Sequence, residues 1–304
     1  MWQLPRCVCA TFNFNKSVDS VLYKFRCYLS TIALETLNLM SMKSQIFVIN
    51  LDRATHRFDS IKSQLDDLNL PFEKISAVDG NSADENLLNK HYSAQLNRKH
   101  YFVPLKKTEI ACYISHLLAC QEIVHRNLDY GIILEDDVIL EKPFKFIHYM
   151  LESIEQWDYI KLAAPFKKKR IIERNPITFF IPTNCETEKY QSQTKTASVK
   201  QEKLIAPFAF ELVRWAKIPI GAQAYAISLK GAKELLSKRS VFFRPIDVDL
   251  QFTWETNLDI KGVIPDLCKI SDVESTIGTR RAKPHYPLAR LVHKIKYAFN
   301  SIVK

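Results

Sequence analysis

The order of apolar and polar positions divides the chain into strands and helices that follow one another. Apolar runs rich in β-branched and aromatic residues predict buried strands, and they lie at 44–51, 72–80 (with a turn), 130–135, 159–164 and 222–229. Apolar residues at helical spacing predict helices at 57–70, 108–127 and 230–239. Pro71 stops the first helix, and Thr108 is the predicted N-cap of the second. This alternation indicates an α/β fold with a mostly parallel central sheet flanked by helices.

Two further segments have distinctive patterns. Residues 184–203 are almost without apolar positions, which is typical of a loop or insertion. Residues 288–304 repeat apolar side chains at helical spacing among basic ones, which predicts an amphipathic helix. Such a helix either attaches to an anionic membrane surface or packs on the core with its basic side in water, and periodicity alone does not choose between them.

The positive charge is concentrated at the ends of the chain. Of the net +10, residues 280–304 contribute +7 and residues 1–43 contribute +3, whereas residues 44–279 carry 31 basic and 31 acidic side chains. A neutral body with a basic end favours a surface-binding tail over a groove for nucleic acid, so we expect no nucleic-acid partner.

Cysteine usage and hydropathy set the expected compartment. The seven cysteines are odd in number and scattered, which fits reduced thiols in the cytoplasm. No window approaches 18 consecutive apolar residues, so we expect no spanning helix.

Three adjacent acids, Glu135, Asp136 and Asp137, follow the apolar strand at 130–134. Ligands of open α/β sheets lie beyond the carboxyl ends of strands, and alternation would turn Glu135 and Asp137 one way and Asp136 the other. Carboxylate oxygens in this arrangement suit Mg²⁺ or Mn²⁺. The alternative is an acidic turn that caps the next element, and phosphohydrolases and nucleases also gather carboxylates around metals.

Four motifs make the chain resemble glycosyltransferase family 25, which includes bacterial lipooligosaccharide galactosyltransferases and collagen galactosyltransferases. They are INLDRATHR, AVDG, EIACYISH and LEDDVIL, and WDYIKL, GAQAYAISLKGAKELL, PIDVDL and STI (275–277) extend the resemblance over about residues 45–277. The resemblance implies a GT-A type, Rossmann-like fold, a UDP-sugar donor that is usually UDP-galactose, and a divalent metal at the acidic triplet.

Candidate roles follow for the site residues. Asn50, Arg53 and Arg57 lie at the end of the first strand, where an arginine fork matches phosphate, although surface salt bridges are an alternative. The other expected donor-binding residues lie in the family motifs: Asp79, Ser115, His116, Glu135 and Asp136. The expected metal ligands are the three acids of the triplet, Glu135, Asp136 and Asp137.

An acceptor hydroxyl requires a general base, and Asp247 is the candidate, with Asp249 second. Both would alternate onto one side of a short extended run and could form a second metal-binding pair. Alternatively, Asp247 simply starts a helix as its cap. Inversion at the transferred sugar is implied by the resemblance alone.

We therefore expect a hexosyltransferase that moves galactose from UDP-galactose, with Mn²⁺ or Mg²⁺, to a lipid-linked lipooligosaccharide acceptor. The expected location is the cytoplasmic face of a bacterial inner membrane, with peripheral contact through the basic helix. Expected domains are an extension at 1–41 with translation starting at Met42, a catalytic domain at 42–279 and the helix within 280–304. The alternatives are a metal-dependent phosphohydrolase or nuclease and a non-catalytic membrane-surface binding protein.

Overall fold

The computed structural model describes residues 42–164, 171–179, 208–271 and 286–302. The expected N-terminal extension, the 184–203 loop and the STI motif lie outside these ranges.

Ten strands are defined in the described part of the chain. They are β1 (Ser44–Asn50), β2 (Phe72–Ser76), β3 (Tyr130–Glu135), β4 (Val138–Leu140), β5 (Tyr159–Lys161), β6 (Ile171–Phe179), β7 (Phe208–Trp215), β8 (Ala224–Ser228), β9 (Ile260–Ile264) and β10 (Cys268–Ile270). All five predicted strands are confirmed as strands, with β5 and β8 shorter than expected.

Nine α-helices are described, with one 3₁₀ turn at Lys142–Phe146. The helices are α1 (Thr55–Asp67), α2 (Glu85–His91), α3 (Ala94–His100), α4 (Lys107–His125), α5 (Ile147–Glu152), α6 (Leu229–Lys238), α7 (Ile246–Asp249), α8 (Thr253–Thr256) and α9 (Pro287–Ile302). The predicted amphipathic helix at the end of the chain is confirmed as α9.

Eight strands form one sheet in the order β2-β1-β3-β8-β5-β9-β7-β6, and β4 pairs with β10 in a small second sheet. Parallel pairings join β1 to β2, β1 to β3 and β5 to β9. The other four pairings in the large sheet are antiparallel. The sheet is therefore mixed, and the predicted parallel arrangement applies mainly to β2-β1-β3. Apolar periodicity does not encode strand direction, which explains the difference.

The central strands are buried on both faces. Phe47 and Ile49 of β1 lie in one core cluster with α4 and α6. Ile46 and Val48 lie in the other, with α1 and α5. This two-sided burial explains the continuous apolar runs that predicted the strands.

The observed start of α4 and the observed end of α1 differ from the predicted ones. Thr108 is not the N-cap of α4, because the helix begins one residue earlier and the Glu109 carboxylate accepts a hydrogen bond from the backbone N–H of Lys106 at 2.8 Å. Helix α1 ends at Asp67, and Asn69 adopts a positive φ of 54° before Pro71. Among the described helices, none has both the length and the apolar content to cross a bilayer.

A buried ion-pair cluster joins α4, α6, α7 and α8. The Asp249 carboxylate is in contact with the Arg239 guanidinium, accepts a bond from Arg244 Nε at 2.8 Å and accepts one from the Tyr113 hydroxyl at 2.7 Å. Both arginines also contact Glu255. The charges are mutually satisfied, so the cluster fixes these helices in one arrangement.

Replacing Asp249 with Asn should lower the free energy of unfolding by about 3–5 kcal/mol, because two buried guanidinium groups then share too little negative charge. Urea unfolding would measure the change. Asp66→Asn, which alters an exposed pair with Lys62 on α1, is the matched control and should leave the unfolding midpoint unchanged. Equal midpoints for the two variants would contradict the assigned role of the cluster.

Candidate functional site

The strand ends of β1, β2 and β3 meet at one edge of the sheet, because these strands run parallel. An open cleft lies at this edge. Its lining comprises Ile49, Leu51, Arg53, Arg57, Ala77, Val78, Asp79, Gly80, Thr108, Cys112, Ser115, His116, Glu135, Asp136 and Asp137. Most of the predicted donor-binding residues and all three predicted metal ligands are thus brought together, whereas Asn50 lies buried just behind the lining.

Arg57 and Asn50 hold the acidic triplet in place. The Arg57 guanidinium contacts Asp136 and lies 3.3 Å from Asp137 Oδ2. The Asn50 side chain donates to Asp136 Oδ2 at 2.7 Å and to the Ala54 carbonyl at 3.0 Å. Strand β3 ends at Glu135, and the next two residues form a turn. The predicted alternation of the three side chains is therefore wrong, and all three line the same cleft.

Burial weakens the acidity of two of these carboxyls. Burial raises the pKa of Asp136, against the bond from Asn50 and the charge of Arg57. Burial and the charge of Glu135 raise the pKa of Asp137 to about 7, against the charge of Arg57. The single positive charge of Arg57 thus does not fully offset the negative charges of the acidic triplet.

The loop that follows β2 forms the opposite wall of the cleft. The Asp79 carboxylate accepts hydrogen bonds from Arg53 Nε at 2.6 Å and from the Asn81 backbone N–H at 3.0 Å, and these contacts lower its pKa. Ser115 Oγ accepts from the backbone N–H of Val78 at 2.9 Å. Ser115 is buried and positions this loop on α4, which is a supporting role for a residue predicted to contact the donor.

Gly80 makes the close contact between this loop and α4 possible. A Cβ at this position would lie 2.6 Å from the carbonyl carbon and oxygen of Lys107 and from Thr108 Cα. Real Cβ atoms do not approach backbone so closely, so the glycine of AVDG is required by packing.

His116 is fully buried at the base of the cleft. Its Nδ1 lies 3.0 Å from the Tyr225 hydroxyl, and its Nε2 lies 3.3 Å from Glu135 Oε1. Tyr225 in turn stacks on Tyr159, with ring centroids 4.4 Å apart. The imidazole is thus held rigidly with one nitrogen directed at a carboxylate of the site.

Among the described residues, one cluster of ligand atoms and one further carboxylate oxygen in the cleft could hold a divalent cation. The Cys112 Sγ, a His116 nitrogen and a Glu135 oxygen lie within 4.8 Å of one another. Beside them, Asp137 Oδ1 is buried with no hydrogen-bond partner. Carboxylate oxygens suit Mg²⁺ or Mn²⁺, so Glu135 and Asp137 fit such an ion, whereas the Cys112 thiol is a softer ligand that these ions do not favour. Asp136 fits less well, because both of its oxygens already contact Asn50 or Arg57.

The two predicted catalytic aspartates occupy different environments. The expected extended run is wrong, because both lie in the short helix α7, where side chains two residues apart point to different sides. Asp249 is engaged in the buried ion-pair cluster and is not in the cleft lining. The Asp247 carboxylate accepts from the Val248 backbone N–H at 2.8 Å, and the N-cap of α7 is Pro245.

Asp247 lies beside the cleft although it does not line it. Burial raises its pKa, while backbone N–H groups and the charge of Lys161 oppose the rise and the charge of Glu135 adds to it. Lys161 ends β5, is buried, and donates to the Gly221 carbonyl. Gly221 has a φ of +99°, which favours glycine.

Sequence reasoning missed Lys161, Cys112 and Gly80 as parts of the site. Lys161 lies in WDYIKL, and a lysine that interrupts an apolar strand was the available signal. Cys112 is four residues before His116 on α4, so their shared helical face was also available.

The fold and cleft define an α/β protein with a charged ligand site at the carboxyl ends of parallel strands. The sequence model of "Glycosyltransferase family 25 (LPS biosynthesis protein)" matches residues 43–250. This match covers more than half of the 304 residues, and the chain belongs to glycosyltransferase family 25.

Named relatives include animal proteins. Mouse (Mus musculus) procollagen galactosyltransferase 2 is 27% identical over 196 residues, which is 63% of this chain and 27% of the mouse protein. A glycosyltransferase 25 family member from Aedes aegypti is 26% identical over 203 residues, 64% of this chain and 28% of the relative. Rattus norvegicus has a similar protein named "Probable inactive glycosyltransferase 25 family member 3", 30% identical over 39% of this chain and 22% of its own length. The chain spans about a quarter of the length of these relatives.

Asp137→Asn should stabilise the metal-free protein at pH 8, because the folded state holds the Asp137 carboxyl at a pKa of about 7, above that of an unfolded aspartate. The wild type therefore loses stability as the pH rises from about 4 to 7, whereas the amide does not titrate. We expect the variant to melt roughly 2 °C or more above wild type at pH 8 in EDTA, and the gap to close towards pH 5.

Differential scanning fluorimetry across this pH range would measure the gap. Asp67→Asn, at an exposed position of α1, is the control and should follow the wild type. A variant that melts below wild type at pH 8 would mean that Arg57 stabilises the ionised form of Asp137.

Proposed function

We propose that the chain is a hexosyltransferase that transfers galactose from UDP-galactose, with a divalent metal ion, to a lipid-linked oligosaccharide. The observation that carries the proposal is the cleft, where Arg53, Arg57 and three carboxylates face one another at the sheet edge. Family membership supports the reaction class, and it implies a sugar donor and an acceptor. The strand order around β2-β1-β3 is compatible with a GT-A type fold.

The donor fits this cleft through charge. A nucleoside diphosphate carries negative charge that Arg53 and Arg57 can bind through paired N–H groups. Both arginines already contact carboxylates, at Asp79 and at Asp136 with Asp137. We infer that the acids orient the arginines in the free protein. When the donor binds, these ion pairs rearrange so that the arginines contact the diphosphate.

A bound Mn²⁺ or Mg²⁺ would offset the charge of the departing UDP. Glu135 and Asp137 would hold it, since Asp137 Oδ1 is buried without a partner. His116 would position Glu135 through the 3.3 Å contact between Nε2 and Oε1. Asp136, bound to Asn50 and Arg57, would position the arginine.

Asp247 is the proposed general base. In an inverting displacement the acceptor oxygen bonds to the anomeric carbon, the bond from that carbon to UDP breaks, and the hydroxyl proton passes to the base. The burial that raises the pKa of Asp247 improves its ability to take that proton, and Lys161 limits the rise. Asp249 is proposed as structural, because its carboxylate is fully engaged with arginines and Tyr113.

The acceptor is proposed from the family description, which names lipopolysaccharide biosynthesis. With such an acceptor, we propose the cytoplasmic face of a bacterial inner membrane as the location of the reaction. The procollagen acceptor in the name of the mouse relative is the competing possibility, and that protein is about four times longer than the matched segment.

The test is a donor panel with the full chain. UDP-galactose, UDP-glucose and UDP-N-acetylhexosamines are incubated with and without Mn²⁺ and truncated lipooligosaccharide, and UDP release is followed. We expect release from UDP-galactose that requires both metal and acceptor, and that EDTA removes. Asp137→Ala should abolish it.

The variant Asp247→Asn tests the chemical step separately from the binding of the donor. It should lower kcat by about 10²–10⁴-fold while UDP-galactose binding by calorimetry stays at the wild-type value. Asp67→Asn should change neither. Metal-dependent release without acceptor would instead indicate a phosphohydrolase, and no release from any donor by folded protein would favour a non-catalytic binding protein.

A further inference from the structure

In the described part of the chain, helix α9 packs aromatic side chains on the body through one face. His293 lies against the rings of Phe252 and Phe102, with centroids 5.0 and 5.3 Å apart. One turn later, Tyr297 lies against Trp254 and Phe252, at 5.4 and 5.7 Å. These aromatic contacts fix the rotation of the helix about its axis.

The opposite face of α9 is an apolar stripe exposed to solvent. The stripe consists of Leu288 (79% exposed), Leu291 (55%), Val292 (43%), Ile295 (58%) and Phe299 (69%). At 3.6 residues per turn these five side chains fall within a sector of about 100°, away from His293 and Tyr297, and extend for about 16 Å. Leaving this much apolar surface in water is unfavourable, which marks the stripe as an interaction surface.

Positive charge flanks the stripe. On the helical wheel, Lys294 and Lys296 lie on its two sides, and both are exposed, with Lys296 Nζ also 3.4 Å from His100 Nδ1 of α3. Residues 280–304 hold seven basic side chains and no acidic one. An apolar face bordered by lysines is the pattern of a helix that lies in the interface of a bilayer with anionic headgroups.

A second copy of the chain matches this surface less well. In a two-fold contact each stripe would face the same stripe, and the flanking lysines would be brought against lysines. Like charges at an interface oppose association, whereas anionic lipid attracts them.

We propose that α9 docks the protein onto the anionic face of a lipid bilayer, with Leu288, Leu291, Val292, Ile295 and Phe299 inserted among the headgroups and acyl chains and the lysines bound to lipid phosphates. The docking does not require the transferase activity. The docking does affect the proposed enzyme, because Phe252 and Trp254, which contact α9, follow Asp247 within one short segment. A membrane-anchored α9 therefore holds the segment with the proposed base close to the membrane.

The test is vesicle flotation with the full chain. Vesicles of phosphatidylcholine alone are compared with vesicles that contain 30 mol% phosphatidylglycerol, an amount of roughly physiological anionic charge. We expect flotation with the anionic vesicles, and a reduction of about tenfold or more when the salt is raised from about 0.1 to 1 M.

Two sets of variants separate the apolar and the ionic contributions. Leu291→Ser with Ile295→Ser and Phe299→Ser should reduce the bound fraction at least tenfold at every salt concentration, because the inserted apolar area is lost. Lys294→Gln with Lys296→Gln should reduce it several-fold at low salt and flatten the salt dependence. The matched control is Ile139→Ser with Ile172→Ser, which removes exposed apolar side chains from the body and should leave flotation unchanged.

Wild-type flotation by the triple serine variant would overturn the proposal, as would the absence of flotation by the wild type. Light scattering that shows a dimer in the wild type and a monomer in the triple variant, without vesicle binding, would assign the stripe to a second copy. UDP release measured without vesicles should be the same for wild type and all tail variants, so the outcome for docking is independent of the outcome for the enzyme.

Discussion

The contact of one guanidinium, Arg57, with two carboxylates at the end of β3 is the constraint on which the site depends. Asp136 and Asp137 lie next to each other and beside Glu135, so their repulsion must be offset for the turn to form. Arg57 comes from α1 and Asn50 from the last position of β1. These contacts connect β1 and α1 to the end of β3. The cleft lies between the connected ends.

The ion-pair cluster around Asp249 and the cleft differ in how completely their charged groups are paired. Around Asp249, two arginines, a tyrosine and Glu255 satisfy each buried charge, and the result is a rigid junction of helices. In the cleft, atoms of Arg57, Asn50 and Asp137 are buried without partners. Incomplete pairing in the cleft costs stability but leaves groups there ready to bind a ligand.

The sequence was informative where the physical rule was local. The strand-end rule predicted the grouping of Arg53, Arg57 and the acidic triplet in one cleft. It did not predict that Arg57 would contact Asp136 and Asp137, because that contact depends on the turn after Glu135. Asp247 and Asp249 were placed on an extended run since two residues of separation fit strand alternation, whereas Pro245 directly before Ile246 begins a helix. Strand β8 could not be predicted as antiparallel, because direction is set by tertiary pairing.

The position of β8 determines when the sheet can be completed during synthesis. It lies between β3 and β5, yet it is made almost 90 residues after β3. Until Ser228 has left the ribosome, the edge of β3 that pairs with β8 carries unpaired backbone groups. The Glu135 N–H, for example, lacks its partner, the Gln223 carbonyl, which lies 2.7 Å away in the folded protein. A nascent chain that stops before this point exposes one edge of an apolar strand, which is a site for chaperone binding or aggregation. Every residue that lines the cleft, from Ile49 to Asp137, is therefore made before β8, and the strand that carries Glu135 gains its second neighbour only afterwards.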